Sequence, residues 1–322
     1  MPKVKTPAKQ TINSGNAENV APKLMAKILD DSQRSVASHA RSLTALSKLY
    51  RQDSEVFFDE LRPHLNKILL VFKKETCIER LMTFISSFVT QADLLSEEER
   101  DEAAETLLKY LVRRANAKDK AVRYRVCQLI AMIVDKMADD AELDDDLFDE
   151  ISEILMTRAI DSAPVVRATS VEALHRMQED CKDDPVVEQM AKRMQSDSSK
   201  EVRVAALKHI AVNTFTLNMV LERLCDVSEQ VRATAYRVLR DRAQLRYLNL
   251  SQRAELVRRG LKDRVPAVKE ECLQLIIQAW LPATDNDITK LCARSNIPNN
   301  PYHLPVKMTI LVLFLLHNIY SC

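Results

Sequence analysis

Apolar residues recur along the chain with a spacing that places them on one face of a helix. In the segment KEVRVAALKHI the apolar positions are Val202, Ala206, Leu207 and Ile210. Offsets of four, five and eight residues match a period of about 3.6 residues, which is that of an α-helix with one apolar face. The pattern therefore predicts amphipathic helices, each of which needs a neighbour to cover its apolar side.

Five segments share this pattern, and each begins with a valine followed by Arg or Lys. Their valines are separated by 44, 36, 29 and 37 residues and are Val122, Val166, Val202, Val231 and Val268. Val36 and Ile78 mark two further segments upstream, and a second amphipathic helix precedes each segment. Helix pairs that recur in this way predict an all-α fold, a HEAT-type α-solenoid of about six or seven stacked antiparallel pairs.

Three short motifs suggest where helices begin. A Ser or Thr followed three residues later by Glu can form a capping box, in which the two side chains satisfy the free amides of the first turn. The pairs with this spacing are Thr76–Glu79, Ser96–Glu99 and Ser198–Glu201.

The solenoid is expected to span residues 21–285, between two segments of different character. Residues 1–20 carry Lys3, Lys5 and Lys9 before any acidic residue, which is typical of a disordered basic tail. Residues 286–322 do not continue the repeat, so we expect a divergent C-terminal segment of a truncated or misjoined sequence. Its apolar run MTILVLFLL is shorter than the roughly 20 residues that a membrane-spanning helix needs, so no membrane partner is expected.

A second regularity connects each turn to the helix that follows it. In four repeats an Asp of the turn lies six residues before the basic residue of the helix: Asp161 and Arg167, Asp197 and Arg203, Asp226 and Arg232, Asp263 and Lys269. Stacking would align these residues into a repeat-stacking ladder along the seam. We interpret the ladder as structural, with carboxylates and cations that orient the repeats and contribute ~0.2–1 kcal/mol for each exposed pair.

The composition argues against an enzyme. The chain has only two glycines, Gly15 and Gly260, so it lacks the phosphate-binding loop, the dinucleotide-binding loop and the nucleophile elbow. The six histidines show no metal-ligand spacing, and the seven cysteines form no CxxC pair. We therefore expect no catalytic residue, cofactor, metal site or small-molecule substrate. The N-terminus MPKVKTPAKQ lacks a secretory apolar run, which favours a reducing compartment with the cysteines as small core residues.

The net charge is +1, so a basic surface has to arise from segregation of charge. Basic residues cluster in VFKKE, YRVLRDRAQLR and ELVRRGLKDR, and most densely in YLVRRANAKDKAVRYR. In the last segment Ala117 stands where the ladder has an Asp, and Arg125 has no counterpart in other repeats. A helical wheel places the heads of Arg123 and Arg125 at the two rims of the apolar stripe, as charges that the ladder does not use.

Stacked repeats could join these clusters into a positive groove that binds phosphates without reading bases. A solenoid of this composition could equally bind only proteins. The residue pattern alone leaves both functions open.

Several stretches, taken in order, resemble one known family. They are VFFDELRPHLNKILLVFKKETCIERLMTFISSFVTQ (56–91), KAVRYRVCQLI (120–130), LDDDLFDEI (143–151), LNLSQRAELVRRGLKDRVPAVK (248–269) and IIQAWL (276–281). Together they are similar to the N-terminal part of condensin complex subunit 3, a non-SMC component of condensin. The resemblance extends over residues from about 22 to 284.

The resemblance implies a non-enzymatic HEAT-repeat protein that binds the kleisin of the condensin complex and, through it, the SMC proteins. It also implies a basic groove for double-stranded DNA, bound without sequence specificity during mitotic chromosome condensation. The expected location is the nucleus and condensed chromosomes, with a cytoplasmic pool. By match, the expected phosphate contacts are Lys73, Lys74, Arg123 and Arg125. Arg113 and Arg114, which belong to the neighbouring basic stretch and not to the matched residues, are further expected contacts. An α-solenoid adaptor without DNA binding stays open as the alternative.

Overall fold

The computed structural model describes residues 21–291, apart from residues 92, 138–142, 180, 182 and 288. The expected basic tail at 1–20 and residues 292–322 of the expected divergent segment lie outside the described residues. The chain divides into two compact units, of which the first ends at Ile151 and the second begins at Ser152.

The first unit is built from helix pairs. Its helices are α1 (Ala21–Arg34), α2 (His39–Gln52), α3 (Ser54–Leu69), α4 (Thr76–Thr90), α5 (Glu97–Val112) and α6 (Lys120–Lys136), with a 3₁₀ turn at Val36–Ser38. Helices α2, α4 and α6 are the second members of their pairs. Helix α4 packs against α6 of the following pair and against both α1 and α2 of the preceding pair, so the pairs stack on one another in chain order.

The second unit repeats this arrangement. Helix α7 (Asp145–Arg158) enters it from the first unit and is followed by α8 (Pro164–Ala173), α9 (Pro185–Ser196), α10 (Lys200–His209), α11 (Leu217–Glu222), α12 (Glu229–Arg242), α13 (Leu250–Lys262) and α14 (Pro266–Leu275). Shorter turns lie at Leu174–Met177, Arg223–Cys225, Leu245–Tyr247, Ile276–Trp280 and Pro282–Thr284. Helices α8, α10, α12 and α14 stack in that order.

Within each unit the described residues form helices and no strand. The predicted all-α, HEAT-type solenoid of stacked helix pairs is confirmed. The apolar stripe forms the core as expected, since Val202, Ala206, Leu207 and Ile210 are all 0% exposed. None of the described helices is both long and apolar enough to cross a membrane.

An aromatic cluster fills the core of the first unit. The ring of Tyr50 on α2 meets Phe57 of α3 edge-on at 5.5 Å between centroids, and Phe88 of α4 at 5.9 Å. Edge-on contacts of this kind favour a fixed arrangement of the rings. The Tyr50 hydroxyl donates to Glu102 over 3.4 Å, and burial together with this carboxylate raises the pKa of Tyr50 to about 12.

The helix-start motifs were only partly informative. Ser96 and Glu99 form a capping box at the start of α5, as predicted. The prediction was wrong for Thr76–Glu79, because Glu75 precedes α4 and the Glu79 carboxylate binds an arginine instead. It was also wrong for Ser198–Glu201, since α10 is preceded by Ser199, whose side chain caps no amide.

Another capping box, formed by Asn249 and Gln252, begins α13. The motif with Ser or Thr in the first position does not predict this box, although Asn is an equally good first residue.

The cysteines are only partly core residues. Cys127 and Cys272 are buried as expected, and burial raises the pKa of the Cys272 thiol to about 12. The expectation is wrong for Cys181 and Cys225, which are exposed.

The ladder of the second unit joins each repeat to the next. Each arginine donates from Nε and Nη2 to both oxygens of the Asp in the following turn, over 2.7–3.0 Å: Arg167 to Asp197, Arg203 to Asp226 and Arg232 to Asp263. Its Nη1 donates to the backbone carbonyl of the Asp in its own turn, over 2.8–2.9 Å. One guanidinium therefore fixes two successive turns.

The ladder is buried rather than exposed, which differs from our expectation. Arg167, Arg203 and Arg232 are 8–9% exposed and Asp197 is 5% exposed. Buried ion pairs are kept only where every donor is matched, and here the forked guanidinium and the bidentate carboxylate supply that match. Lys269, the fourth basic residue of the series, has no ion pair within residues 21–291 as described.

The aspartates of the ladder also hold the helices that follow them. Asp197 Oδ1 accepts the Ser199 amide at 2.9 Å, beside the bond from Arg167. Burial by itself would raise the pKa of Asp197, but the hydrogen bonds from Arg167 and from the Ser199 amide outweigh it, so the pKa lies below its ordinary value. The ionised form is therefore the one that the fold stabilises.

We predict that Asp197→Asn lowers the free energy of unfolding by about 3 kcal/mol at pH 7, because it leaves the buried Arg167 guanidinium without its counter-charge. A carboxylate whose folded pKa is lowered stabilises the fold above its unfolded pKa of about 3.9, and this contribution is lost as the pH falls through the folded pKa. The difference between the two proteins should therefore shrink below about pH 4. Urea denaturation at pH 7, 5, 4 and 3 measures it.

The exposed Glu188 of α9 offers a control, with Glu188→Gln expected to change stability by less than about 0.5 kcal/mol at each pH. A difference for Asp197→Asn that stayed constant down to pH 3 would contradict the role given to its charge.

Gly260 lies where α13 packs against its partner α14 and against α12 of the preceding pair. A Cβ built on it would lie 2.5 Å from Cys272 Cβ, closer still to the Sγ, and 2.8 Å from Tyr236 Cζ. The hydroxyl of Tyr236 donates to the Leu256 carbonyl over 3.0 Å, so the ring has little room to move. Glycine is therefore needed here for close approach and not for its backbone conformation.

We predict that Gly260→Ala destabilises the chain by about 1–3 kcal/mol, through overpacking against Cys272 and Tyr236. At an exposed helical site the same replacement would stabilise by up to about 1 kcal/mol, because alanine has the higher helix propensity. Thermal and urea denaturation distinguish the two signs, and Ser251→Ala on the exposed side of the same helix is the control. A stabilised Gly260→Ala protein would show that this contact is looser than described.

Candidate nucleic-acid interface

Two turns of the first unit carry a group of exposed basic residues. The turn between α3 and α4 presents Lys73 and Lys74, and the turn between α5 and α6 presents Arg113, Lys118 and Lys120. We call these five residues the basic cluster. All five side chains are exposed, and none forms an ion pair with an acidic side chain in the part of the chain that the structure describes. Their charge is therefore available to an anion.

Aromatic contacts bring the two turns together. The Lys120 ammonium lies 4.9 Å from the centroid of the Phe72 ring, which is itself 41% exposed. The Phe72 ring also meets the ring of Tyr124 on α6, edge-on at 5.8 Å. A cation over an aromatic face is held without losing its charge, so Lys120 is positioned beside Phe72, the residue before Lys73, and still presents its charge.

Arg114 is more constrained than the members of the basic cluster. Its guanidinium carbon lies 3.5 Å from the centroid of the Tyr110 ring, and its Nε donates to Asn66 Oδ1 over 3.1 Å. Asn66 also accepts the Tyr110 hydroxyl at 2.7 Å. Burial raises the pKa of Tyr110, although the charges of Arg114 and Arg62 oppose the shift. Arg114 thus helps to join α5 to α3, beside the basic cluster.

Arg123 is not a spare charge. Its Nη1 donates to the carbonyls of Ala117 at 2.9 Å and Lys118 at 2.8 Å. Arg167, Arg203 and Arg232 make the same two contacts, six and five residues back, with their own turns. The lack of an Asp six residues before Arg123 did not matter, because a backbone carbonyl is the acceptor at that position.

The expectation that Arg125 lies at the rim of the apolar stripe is wrong. Its side chain is 0% exposed and makes four hydrogen bonds. Nε donates to the Val71 carbonyl at 2.7 Å, Nη2 to the Lys73 carbonyl at 2.5 Å, and Nη1 to Glu79 Oε1 at 2.6 Å and to Gln128 Oε1 at 2.7 Å. A guanidinium enclosed in this way does not contact a phosphate, so Arg125 is removed from the expected contacts.

Glu79 explains why Arg125 is buried at this step. It follows Ile78, at the position where later repeats carry the arginine of the ladder. The cation comes instead from the next stacked helix, α6, where Arg125 lies two residues beyond the ladder position of Arg123. Gln128 Nε2 donates to the second Glu79 oxygen at 2.7 Å. The acidic residue at a basic position was the sequence signal that could have revealed this pair.

The basic stretches of the second unit differ from the basic cluster because several of their arginines are paired with acids. Arg237 and Arg240 both bind Glu271, while Arg258 and Arg259 both bind Glu255. Hydrogen bonds from Arg258 and Arg259 lower the pKa of Glu255 to about 2, so it stays ionised opposite them. At these four arginines the positive charge is balanced by neighbouring carboxylates.

A cleft of about 680 Å³ lies beside α12 and is lined partly by Arg240, Arg242 and Arg246. Arg240 also pairs with Asp241, and Arg242 donates to the Ile210 carbonyl over 3.2 Å. No group of three or more metal-ligating side chains occurs among the described residues.

No protein-family model matches the sequence. Condensin complex subunit 3 of Xenopus laevis is 36% identical over 281 residues, which are 84% of this chain and 27% of that protein. The Homo sapiens protein of the same name is 37% identical over 272 residues, with 82% and 27% covered. The chain thus spans about a quarter of the length of these relatives.

One solved structure is similar over almost the whole chain. It is the Schizosaccharomyces pombe condensin Cnd3–Cnd2 subcomplex, with a TM-score of 0.80 and 31% sequence identity. The match covers 92% of this chain and 38% of the other. Sequence and fold therefore point to the same relatives over the same part of the chain.

Proposed function

Because the chain belongs by sequence and by fold to the family of condensin complex subunit 3, we propose that it is a non-catalytic HEAT-repeat subunit of condensin. In this proposal it binds the kleisin and, through the basic cluster, the backbone of double-stranded DNA. Association with SMC subunits follows through the kleisin. The site of action is the condensed chromosome in the nucleus, during mitosis, with a cytoplasmic pool.

Similarity to a two-subunit complex supports the kleisin as a partner. The matching structure contains Cnd3 together with Cnd2, and this chain aligns with it over nearly its full length. A solenoid also offers long surfaces of stacked helices, which suit the binding of an extended partner segment.

The basic cluster is the observation that carries the DNA-binding part of the proposal. Five exposed cations lie on two adjacent turns of a chain whose net charge is only +1. Lysine ammonium groups on flexible stems contact phosphates as point charges and do not read bases. Binding through them is expected to be independent of sequence and to weaken steeply with salt, because each neutralised phosphate releases counterions.

We predict that Lys73→Glu plus Lys74→Glu weakens duplex binding at least about tenfold at 100 mM salt. Loss of two phosphate contacts should also reduce the slope of log affinity against log salt by about two, since each contact contributes roughly 0.9. Fluorescence anisotropy with two duplexes of unrelated sequence, between 50 and 200 mM salt and with or without kleisin, measures both quantities.

A matched control reverses two exposed lysines of the second unit, Lys192→Glu plus Lys208→Glu. This control changes the net charge by the same amount as Lys73→Glu plus Lys74→Glu. Its effect on binding therefore reports only the long-range electrostatic field of the protein. Equal losses in affinity and slope for both double variants would refute the assignment to the basic cluster.

The adaptor remains the second candidate, supported by the paired charges of the second unit. Co-purification with the full-length kleisin separates the two functions. A chain that binds the kleisin but binds neither duplex, with or without it, is an adaptor. A chain that binds neither the kleisin nor DNA would overturn the proposal as a whole.

A further inference from the structure

Arg125 is buried in the first unit directly beneath the turn that carries Lys73 and Lys74. Four of the five N–H groups of its guanidinium donate hydrogen bonds. The acceptors are two backbone carbonyls of that turn, the Glu79 carboxylate and the Gln128 amide oxygen. A buried guanidinium is tolerated only when its charge and its donors are matched in this way. The arrangement is therefore specific to one conformation of the turn.

The two carbonyls that Arg125 binds belong to Val71 and Lys73, on either side of Phe72. The Lys73 carbonyl also accepts the Glu75 amide at 2.9 Å, which closes the turn just before α4. On the outer side, the Phe72 ring is held between Tyr124 and the Lys120 ammonium. The backbone and the one aromatic side chain of the turn are thus both fastened to α6, the helix that carries Lys120.

We propose that Arg125 is a positioning residue for the basic cluster. It contacts no phosphate, but it fastens the Lys73–Lys74 turn to α6, so that these two lysines and Lys118 and Lys120 face one stretch of DNA backbone. The inference rests on the proposed DNA binding. Beyond that function, the affinity for DNA is expected to depend on the buried Arg125. This arginine keeps the turn ordered, and an ordered turn loses less conformational freedom when it binds.

Glu79 allows this role to be separated from a purely electrostatic one. Replacing Glu79 by Ala removes a negative charge close to the site, which by charge alone should tighten the binding of an anion. If the hydrogen bonds of Arg125 act as a clamp that fixes the Lys73–Lys74 turn to α6, the same change loosens Arg125 and weakens the binding. The two explanations therefore predict opposite signs for one substitution. The Glu79 side chain is 35% exposed, so the variant is expected to fold.

The experiment measures duplex binding by the full chain carrying Arg125→Met or Glu79→Ala, across a salt series. We expect about tenfold weaker binding at 100 mM salt for Arg125→Met and a two- to fivefold loss for Glu79→Ala. Hydrogen exchange at the Glu75 amide should become faster in both variants, because the Lys73 carbonyl that it binds is released. Arg203→Met is the matched control, since it also removes a buried, carboxylate-paired arginine, but in the other unit.

A double-mutant comparison distinguishes positioning from general stabilisation. In the Lys73→Glu plus Lys74→Glu background, Arg125→Met should cause less than a twofold further loss, because the lysines that it positions are gone. A full tenfold additional loss, or an equal loss for Arg203→Met, would assign Arg125 to general stability. Binding by Glu79→Ala that is as tight as wild type or tighter would overturn the clamp.

Failure of this inference differs from failure of the proposed function. A wild-type chain that does not bind DNA overturns both. A wild-type chain that binds DNA, with Arg125→Met folded and equally tight, overturns only the positioning role.

Discussion

The fold depends on buried arginines that join the turn of one helix pair to its neighbour. Apolar stacking alone would allow the second helices to slide along one another, because burial of apolar area has no direction. A guanidinium is different, since its fixed fork reaches a carbonyl of its own turn and a carboxylate of the next turn at once. In the second unit Arg167, Arg203 and Arg232 each make this double contact. Replacement of buried ion pairs by apolar groups is often neutral for stability, so we regard register between repeats as their main contribution.

The first unit uses the same chemistry with the partners exchanged. Between α4 and α6 the ladder position of α4 is occupied by an acid, Glu79. The cation is Arg125 of α6, which lies two residues after Arg123, the ladder position of that helix. This shift moves the guanidinium beneath the preceding turn, where it binds carbonyls and not the Asp of a following turn. The turn then needs no acidic residue to satisfy the arginine. Its exposed positions can carry lysines, and the structure has Lys73 and Lys74 there.

Local periodicity was enough to predict the helices and their stacking, because each apolar stripe has to be covered by a neighbour. The ladder was harder, since the spacing of six residues lies within one repeat whereas the ion pair lies between repeats. Arg167 and Asp197 are 30 residues apart, and only stacking brings them together. The position of Arg125 could not be foreseen from a helical wheel, because two of its acceptors are backbone carbonyls, one of them 52 residues earlier. A backbone acceptor leaves no mark in a residue pattern.

The choice between arginine and lysine follows the two tasks of these cations. All the buried bridging residues described above are arginines, whose flat, weakly hydrated heads can satisfy several fixed acceptors. Four of the five members of the basic cluster are lysines, whose compact and strongly hydrated ammonium groups are costly to bury and adapt to many phosphate positions. Exchange of the two types would harm both tasks, since a lysine at 125 could not bind four acceptors in one plane. Net charge therefore says little about this chain, in which four arginines are buried as bridges between repeats while the lysines of the basic cluster stay exposed.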